Sequence, residues 1–467
     1  MELPLQAFLA GEHQSALDEQ AALAEKGGRV QALHQLRLAS MALALGDEET
    51  AESALRQAVG EMQDFTAEGE FRALLGREST KTWKGEPYEK MAAFFLLGCL
   101  LYAEGDHGNA RAMYKSAVLA DAGTVEQRYR SDFVPAYLMM ALSYDAQGKR
   151  EPALDALQRA EDALWSQTTI EVLQWVVMDV GAQGRAEELA QQLLLMGLPA
   201  GSTAEPRDPE RAARGAVSQA GEIYRLEKER RPKQRHPDLR GFPTETWDEV
   251  PEALERLGRI LRERAAGLDP ALFDEPRERA GRLRELFQER PNVLLVIEAG
   301  DGPHKAREGS HGHLLVIREG DRVREPTVSV DGEELPVLAL DSYSYQATTR
   351  GGRRVDAYLE GKAVYKDASY VTGWALWEIA EVLAGGKEVA QTVAAALYVT
   401  GCVLMVSSLA TMPQADIREW GMVPEILYLA PARLPPGEHE LRVDGQLSPL
   451  FVPEQGQAVR VLPRLGR

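Results

Sequence analysis

Three histidines, His304, His311 and His313, fall within ten residues of one another. Imidazoles at that density are raw material for a transition-metal site, and His311 and His313 would share one face of a strand. Zinc needs three or four convergent ligands with second-shell support. No carboxylate stands at matching spacing, so an enzyme or metal-binding protein using the 302–313 region remains only an alternative reading. The loop Gly300-Asp301-Gly302-Pro303-His304-Lys305 follows a strand pattern and could be imagined to cradle phosphate. A phosphate loop must open a helix, and a further strand is expected there instead. No GxSxG elbow exists to carry a hydrolase triad. Cys99 and Cys402 cannot supply a disulfide framework or a CxxC zinc site, and Cys402 reads as a small core residue. Asp416, Arg418 and Trp420 form a compact polar-aromatic group, read here as a salt-bridged cap that turns the chain into the next strand. No catalytic residue, metal or cofactor is therefore expected, and the chain is read as a non-enzyme.

Chemistry being sparse, the elements that would position it carry more information. The chain has 467 residues, with 53 Lys and Arg against 72 Asp and Glu, a formal charge of −19. That acidity argues against nucleic acid as a partner and points to a protein with a neutral or basic surface. The start, MELPLQAFLAGEHQS, shows no basic n-region and no long apolar run, so the expectation is cytoplasmic, with the cell envelope as the alternative.

Turn glycines organise the first half. Around Gly105 stand Phe94, Leu97, Gly98, Leu101, Ala110, Tyr114 and Ala117, the large, small and aromatic positions of a tetratricopeptide unit. The same ruler fits Gly148, with Tyr137, Met140, Ala141, Tyr144, Ala153, Leu157 and Ala160. It fits Gly46, with Leu38, Ala39, Ala42, Ala51, Leu55 and Ala58. A degenerate copy surrounds Gly181, with Leu173, Val177, Ala186 and Ala190, and a half-unit lies near Gly11 and Ala16. The steps between turn glycines are 59, 43 and 33 residues, against a period of about 34. The first step holds the insert TAEGEFRALLGRESTKTWKGEPYEK. Its Trp83 and Tyr88 read either as caps of the next helix pair or as aromatic anchors for a partner. With Arg37, Lys90 and Tyr102 on helix-A positions, they are the partner-binding residues expected here, lining a groove that would hold an extended or helical segment.

From 201 to 290 the sequence reads as a charged helical connector. It contains a helix from about Ala212 to Arg231, a basic run Lys228–Arg240 read as a solvated face, and helical patterns at Val250–Ala266 and Glu275–Glu289. The region 291–467 reads as an α+β domain. Its strands are 292–302, 313–321, a hairpin around Asp331-Gly332, EILYLAPARL, HELRVDG and AVRVLP. Between them, 371–415 reads as an apolar helical hairpin, and Val389–Ala415 carries no formal charge over 27 residues. It is read as a covered central helix, with insertion into a membrane as the alternative. The fold class is thus α-rich, α+β: repeats over 1–200, the connector, then the mixed domain.

The pieces KGEPYEKMAAFFLLGCLLYAEGDHGNAR (84–111), VIEAGDGPHK (296–305), GKAVYKD (361–367) and ADIREWGMVPEILYLAPARLPPGEHEL (415–441) together resemble a bacterial family of uncharacterised tetratricopeptide-repeat proteins. Many of its members are envelope-associated lipoproteins. The resemblance implies a scaffold or accessory protein linked to envelope assembly and supplies no catalytic residues. The sequence departs from the lipoprotein members in showing no leader and no lipid-bearing cysteine.

Overall fold

The computed structural model describes residues 3–63, 82–122, 132–198, 208–232, 235–236, 239–308, 314–321, 323–348, 415–454 and 456–463. The apolar hairpin 371–415 (Ala415 excepted), Cys402, His311, His313, the GKAVYKD run and most of the insert before Trp83 lie outside them.

Paired helices fill the first part: α1 (Leu3–Leu9), α2 (His13–Glu25), α3 (Gln31–Leu45), α4 (Glu48–Gln63), α5 (Pro87–Ala103), α6 (His107–Ala122), α7 (Val134–Ala146) and α8 (Arg150–Val180). Gly46, Gly105 and Gly148 sit in the turns at φ of 77°, 81° and 72°, where a side chain would strain the backbone. Gly98 of α5 faces Tyr114 of α6 so closely that an added Cβ would lie 2.5 Å from the ring. This is the close helix approach that the small–aromatic spacing requires. The expected fourth unit departs from the pattern. Its first helix is fused to the second helix of the third unit, and α8 runs unbroken for 31 residues. No glycine or proline interrupts the sequence between Asp155 and Val180 to force a turn.

The stretch expected to be a connector shares one core with the expected fourth unit. Helices α9 (Arg185–Met196), α10 (Pro209–Glu229) and α11 (Thr246–Ala266) pack with the C-terminal half of α8 around Leu173, Leu189, Leu193, Ala216, Trp247 and Leu257. Arg235 of the basic run stacks 4.1 Å over the Trp247 ring and donates to Glu227 O at 3.1 Å. Part of that run is therefore buried structure rather than a solvated face. Helix α12 (Asp274–Glu289) follows and is tied back to α8 by Arg284, whose Nη2 donates to the buried Glu161 at 2.6 Å.

Among the described residues the strands form two packed sheets and a ribbon. They are β1 (Val293–Ala299), β2 (His304–Glu308), β3 (Leu314–Arg318), β4 (Val328–Val330), β5 (Glu333–Glu334), β6 (Leu338–Ser342), β7 (Ile426–Ala432), β8 (Gly437–Val443), β9 (Gln446–Val452) and β10 (Ala458–Pro463); a short helix α13 (Tyr343–Thr348) follows β6. One sheet has the order β10-β1-β7-β6, the other β5-β4-β8-β9, and β2-β3 is the ribbon. Strand β1 is buried on both faces, and its period of two divides it between two cores. Leu294 and Val296 join the repeat helices, while Val293, Leu295 and Ile297 join the second sheet. The molecule is therefore layered: outer helices, inner helices α3, α5 and α7, the first sheet, then the second sheet. The inner helices are buried almost all round because the outer helices cover one side and the sheet the other.

The hairpin at Asp331-Gly332 is present, with both φ angles positive at 53° and 85°. Strand β9 was not expected, since Pro449 breaks its pattern; its place at a sheet edge tolerates the missing donor.

Gly98→Ala should cost about 1–3 kcal/mol in urea unfolding through overpacking against Tyr114. Gly60→Ala, at an exposed position of α4 with open space around it, should instead be neutral or stabilising by up to about 1 kcal/mol.

Candidate functional site

The inner face of a repeat superhelix is where a partner segment would lie, and here that face is filled from within the chain. Residues 415–425 run without regular secondary structure over α3 and the start of α5 before entering β7. A segment without a ladder must satisfy its backbone groups elsewhere. Trp83 donates from Nε1 to Arg418 O at 3.0 Å. Arg37 donates from Nη2 to Glu419 O at 2.8 Å and from Nε to Trp420 O at 3.2 Å. The Trp420 N–H donates to Glu89 Oε1 at 2.9 Å, and its indole N–H donates to Ser40 Oγ at 2.9 Å. Gly421, at φ 73°, then turns the chain away.

At the centre stands an ion pair. Lys305 Nζ lies 2.6 Å from Glu89 Oε2, and neither side chain is more than 2% exposed. The ammonium also donates to Arg418 O at 2.9 Å and lies 5.8 Å from the ring centroids of both Trp83 and Tyr88. Glu89 further accepts from the backbone N–H of Glu86 at 2.7 Å, closing the capping box that begins α5. Burial raises the Glu89 carboxyl, and Lys305 together with the two N–H donors pulls it partly back. One carboxylate thus holds a helix start, an extended segment and a strand of the second half.

Of the five expected partner-binding residues, Arg37, Trp83 and Tyr88 lie at this seam, while Tyr102 lies at the other end of α5. Arg37 and Trp83 read the backbone of the segment. Tyr88 is buried beneath Lys305. Tyr102 hydrogen-bonds Gln457, just before β10. Lys90 is half-buried next to Lys84, and burial lowers its ammonium. Two further participants, Ser40 and Glu89, carry no expectation from sequence, and Lys305 is expected only as the end of the Gly300–Lys305 loop. Glu89 was findable in principle: it is a charge beside an apolar run, and such charges are buried when they have a mate. Asp416 and Arg418 make the expected local pair, with Nε 2.9 Å from Oδ1, while Trp420 leaves that group for the repeat face.

Of the remaining candidates, His304 also touches this seam. His304 lies 3.5 Å from Glu419, and among the described residues no group of three metal-binding side chains converges. Burial pushes the Cys99 thiol up to about 12, so it is held as an unreactive thiol. Glu298 on β1 points toward the repeat helices, in line with Leu294 and Val296. It accepts no hydrogen bond among the described residues, and burial pushes its carboxyl up to about 8. No helix among the described residues is long and apolar enough to cross a membrane.

Residues 92–124 and 135–162 each match a family model described as tetratricopeptide repeat. The chain carries tetratricopeptide repeats. They coincide with α5–α6 and with α7 and the start of α8, the units whose inner helices meet the sheet. No curated protein matches the chain. Among solved structures, a match is found to "Crystal structure of MamA", at 12% identity and a TM-score of 0.25, covering 57% of this chain and 99% of that one. A superposition this loose assigns no role.

Two predictions follow from the buried charges. Lys305→Met, which strands the Glu89 carboxylate, should cost about 3–5 kcal/mol in urea unfolding, and adding Glu89→Gln should recover part of it in a double-mutant cycle. For Glu298, the unfolded carboxyl ionises near 4.5 and the folded one near 8. Between these values the folded state holds the extra proton, so rising pH erodes stability by about 1.4 kcal/mol per unit. Glu298→Gln should remove that slope from the pH dependence of unfolding between about pH 5 and 8.

Proposed function

We propose that the chain is a non-catalytic protein–protein interaction scaffold whose repeat face recognises an extended segment. Tetratricopeptide repeats generally bind other proteins and are typically not catalytic. The observation that carries this reading is the mode of contact along 418–420. Side chains of α3, of α5 and of Trp83, three residues before the cap of α5, read three successive backbone carbonyls and one backbone N–H. That is how a groove holds an extended peptide. Here the occupant is supplied in cis, and the repeat face orients the α+β region through it. An accessory role in assembly, with partners of neutral or basic surface, fits the charge of −19. Association with the cell envelope rests on the family resemblance alone.

The test compares proteins retained from cell extract by the full chain and by its Trp420→Ala variant. The reading expects a protein retained more strongly by the variant and released by a peptide of residues 416–423. Equal retention by both chains, or retention that the peptide leaves unchanged, would overturn it.

A further inference from the structure

The identity of the groove's ligand can be narrowed by its hydrogen bonds. We propose that Arg37, Ser40, Trp83 and Glu89 form a binding site for a tryptophan-bearing extended peptide of another protein, one that competes with the chain's own residues 418–420. The proposal rests on the scaffold reading and specifies its ligand.

Four observations support it. First, the site is built and buried: Arg37, Ser40, Trp83 and Glu89 are 7%, 4%, 3% and 0% exposed. Second, what they read is transferable. The bonds go to the carbonyls of Arg418, Glu419 and Trp420, to the Trp420 N–H and to its indole N–H. Any extended peptide has the backbone groups, and only tryptophan has an indole N–H to place on Ser40 Oγ. Third, the side chains before the tryptophan have partners outside these four residues. Arg418 pairs with Asp416, and Glu419 accepts from the Lys305 N–H at 2.7 Å. These four residues therefore read the tryptophan side chain, while the Glu419 side chain is held by β2 through the Lys305 N–H and His304. Fourth, the residue after the tryptophan adopts φ 73°, which favours glycine. The ligand class is thus an extended Xaa-Xaa-Trp-Gly segment.

The cis segment sets the threshold for such a ligand. A tethered occupant acts at an effective concentration of about millimolar, so an outside peptide meets a filled site. Removing the tethered indole should open it.

The experiment uses the full-length chain and capped peptides with the sequence of residues 416–423, with either Trp or Ala at the position of Trp420, followed by calorimetry. The Trp420→Ala chain should bind the Trp peptide at least about tenfold more tightly than the wild-type chain does. It should bind the Ala peptide at least about tenfold more weakly, and adding Arg37→Met should weaken binding to a similar degree. Trp420→Leu serves if the alanine chain does not fold. A folded variant that fails to bind the Trp peptide, or that binds both peptides equally, overturns the proposal. If the peptides fail while a protein is still retained from extract by the variant, the ligand class falls and the scaffold reading stands. If the Trp peptide binds as expected and no protein is retained, the scaffold reading falls instead.

Discussion

The arrangement depends on one carboxylate that is taken wholly out of water. Glu89 begins an otherwise apolar helix, and its burial is tolerable only because Lys305, the Trp420 N–H and the Glu86 N–H all converge on it. An isolated buried carboxylate costs far more than any one of these bonds returns. The strand carrying Lys305, the segment carrying Trp420 and the start of α5 must therefore be placed together. The inner helices are apolar on both sides for a related reason. They serve as the core between the outer helices and a sheet, not as the lining of an open channel. Helix α5 buries Phe94, Phe95, Leu96, Leu97, Leu100 and Leu101, and no single stripe of it could do so on one neighbour.

Much of this was legible in the residues. Gly46, Gly105 and Gly148, with the small and aromatic positions around them, locate the helix pairs because a turn glycine and a close-packed Gly98–Tyr114 contact are local requirements. The strands at 293–299, 426–432 and 458–463 are equally local, being short apolar runs with β-branched residues. What could not be read is which surface covers which. Arg37 and Trp83 stand out in the sequence as groove residues expected to meet a partner. That this partner is a segment beginning more than 330 residues later in the same chain was not legible. Sequence spacing carries no signal for a contact of that separation. The mate of Glu89 is another case: Lys305 sits in a ribbon strand whose period says only that it points inward.

The helices after Gly181 make the same point from the other side. The charge of α10 and α11 suggests a connector, yet they and α9 each keep one apolar stripe, and the three stripes close with the end of α8 around Trp247. A high charge density describes the outward faces and is silent about the inward ones. The continuous α8 also shows how a repeat pattern can be satisfied residue by residue while its boundary disappears. Leu173 and Val177 are buried as the pattern requires, but nothing in the chain between them and the preceding helix breaks the backbone hydrogen bonding.

The position of β10 has a consequence for how the chain is made. This strand pairs with β1 and lies against α3 and α5, yet it is synthesised more than 350 residues after α5 has left the ribosome. Throughout that interval the part of the inner helices that β10 covers in the folded chain lacks its partner. Folding of the nascent protein is therefore a problem of waiting, in which the exposed repeat face must be kept from wrong partners until its own last strand arrives.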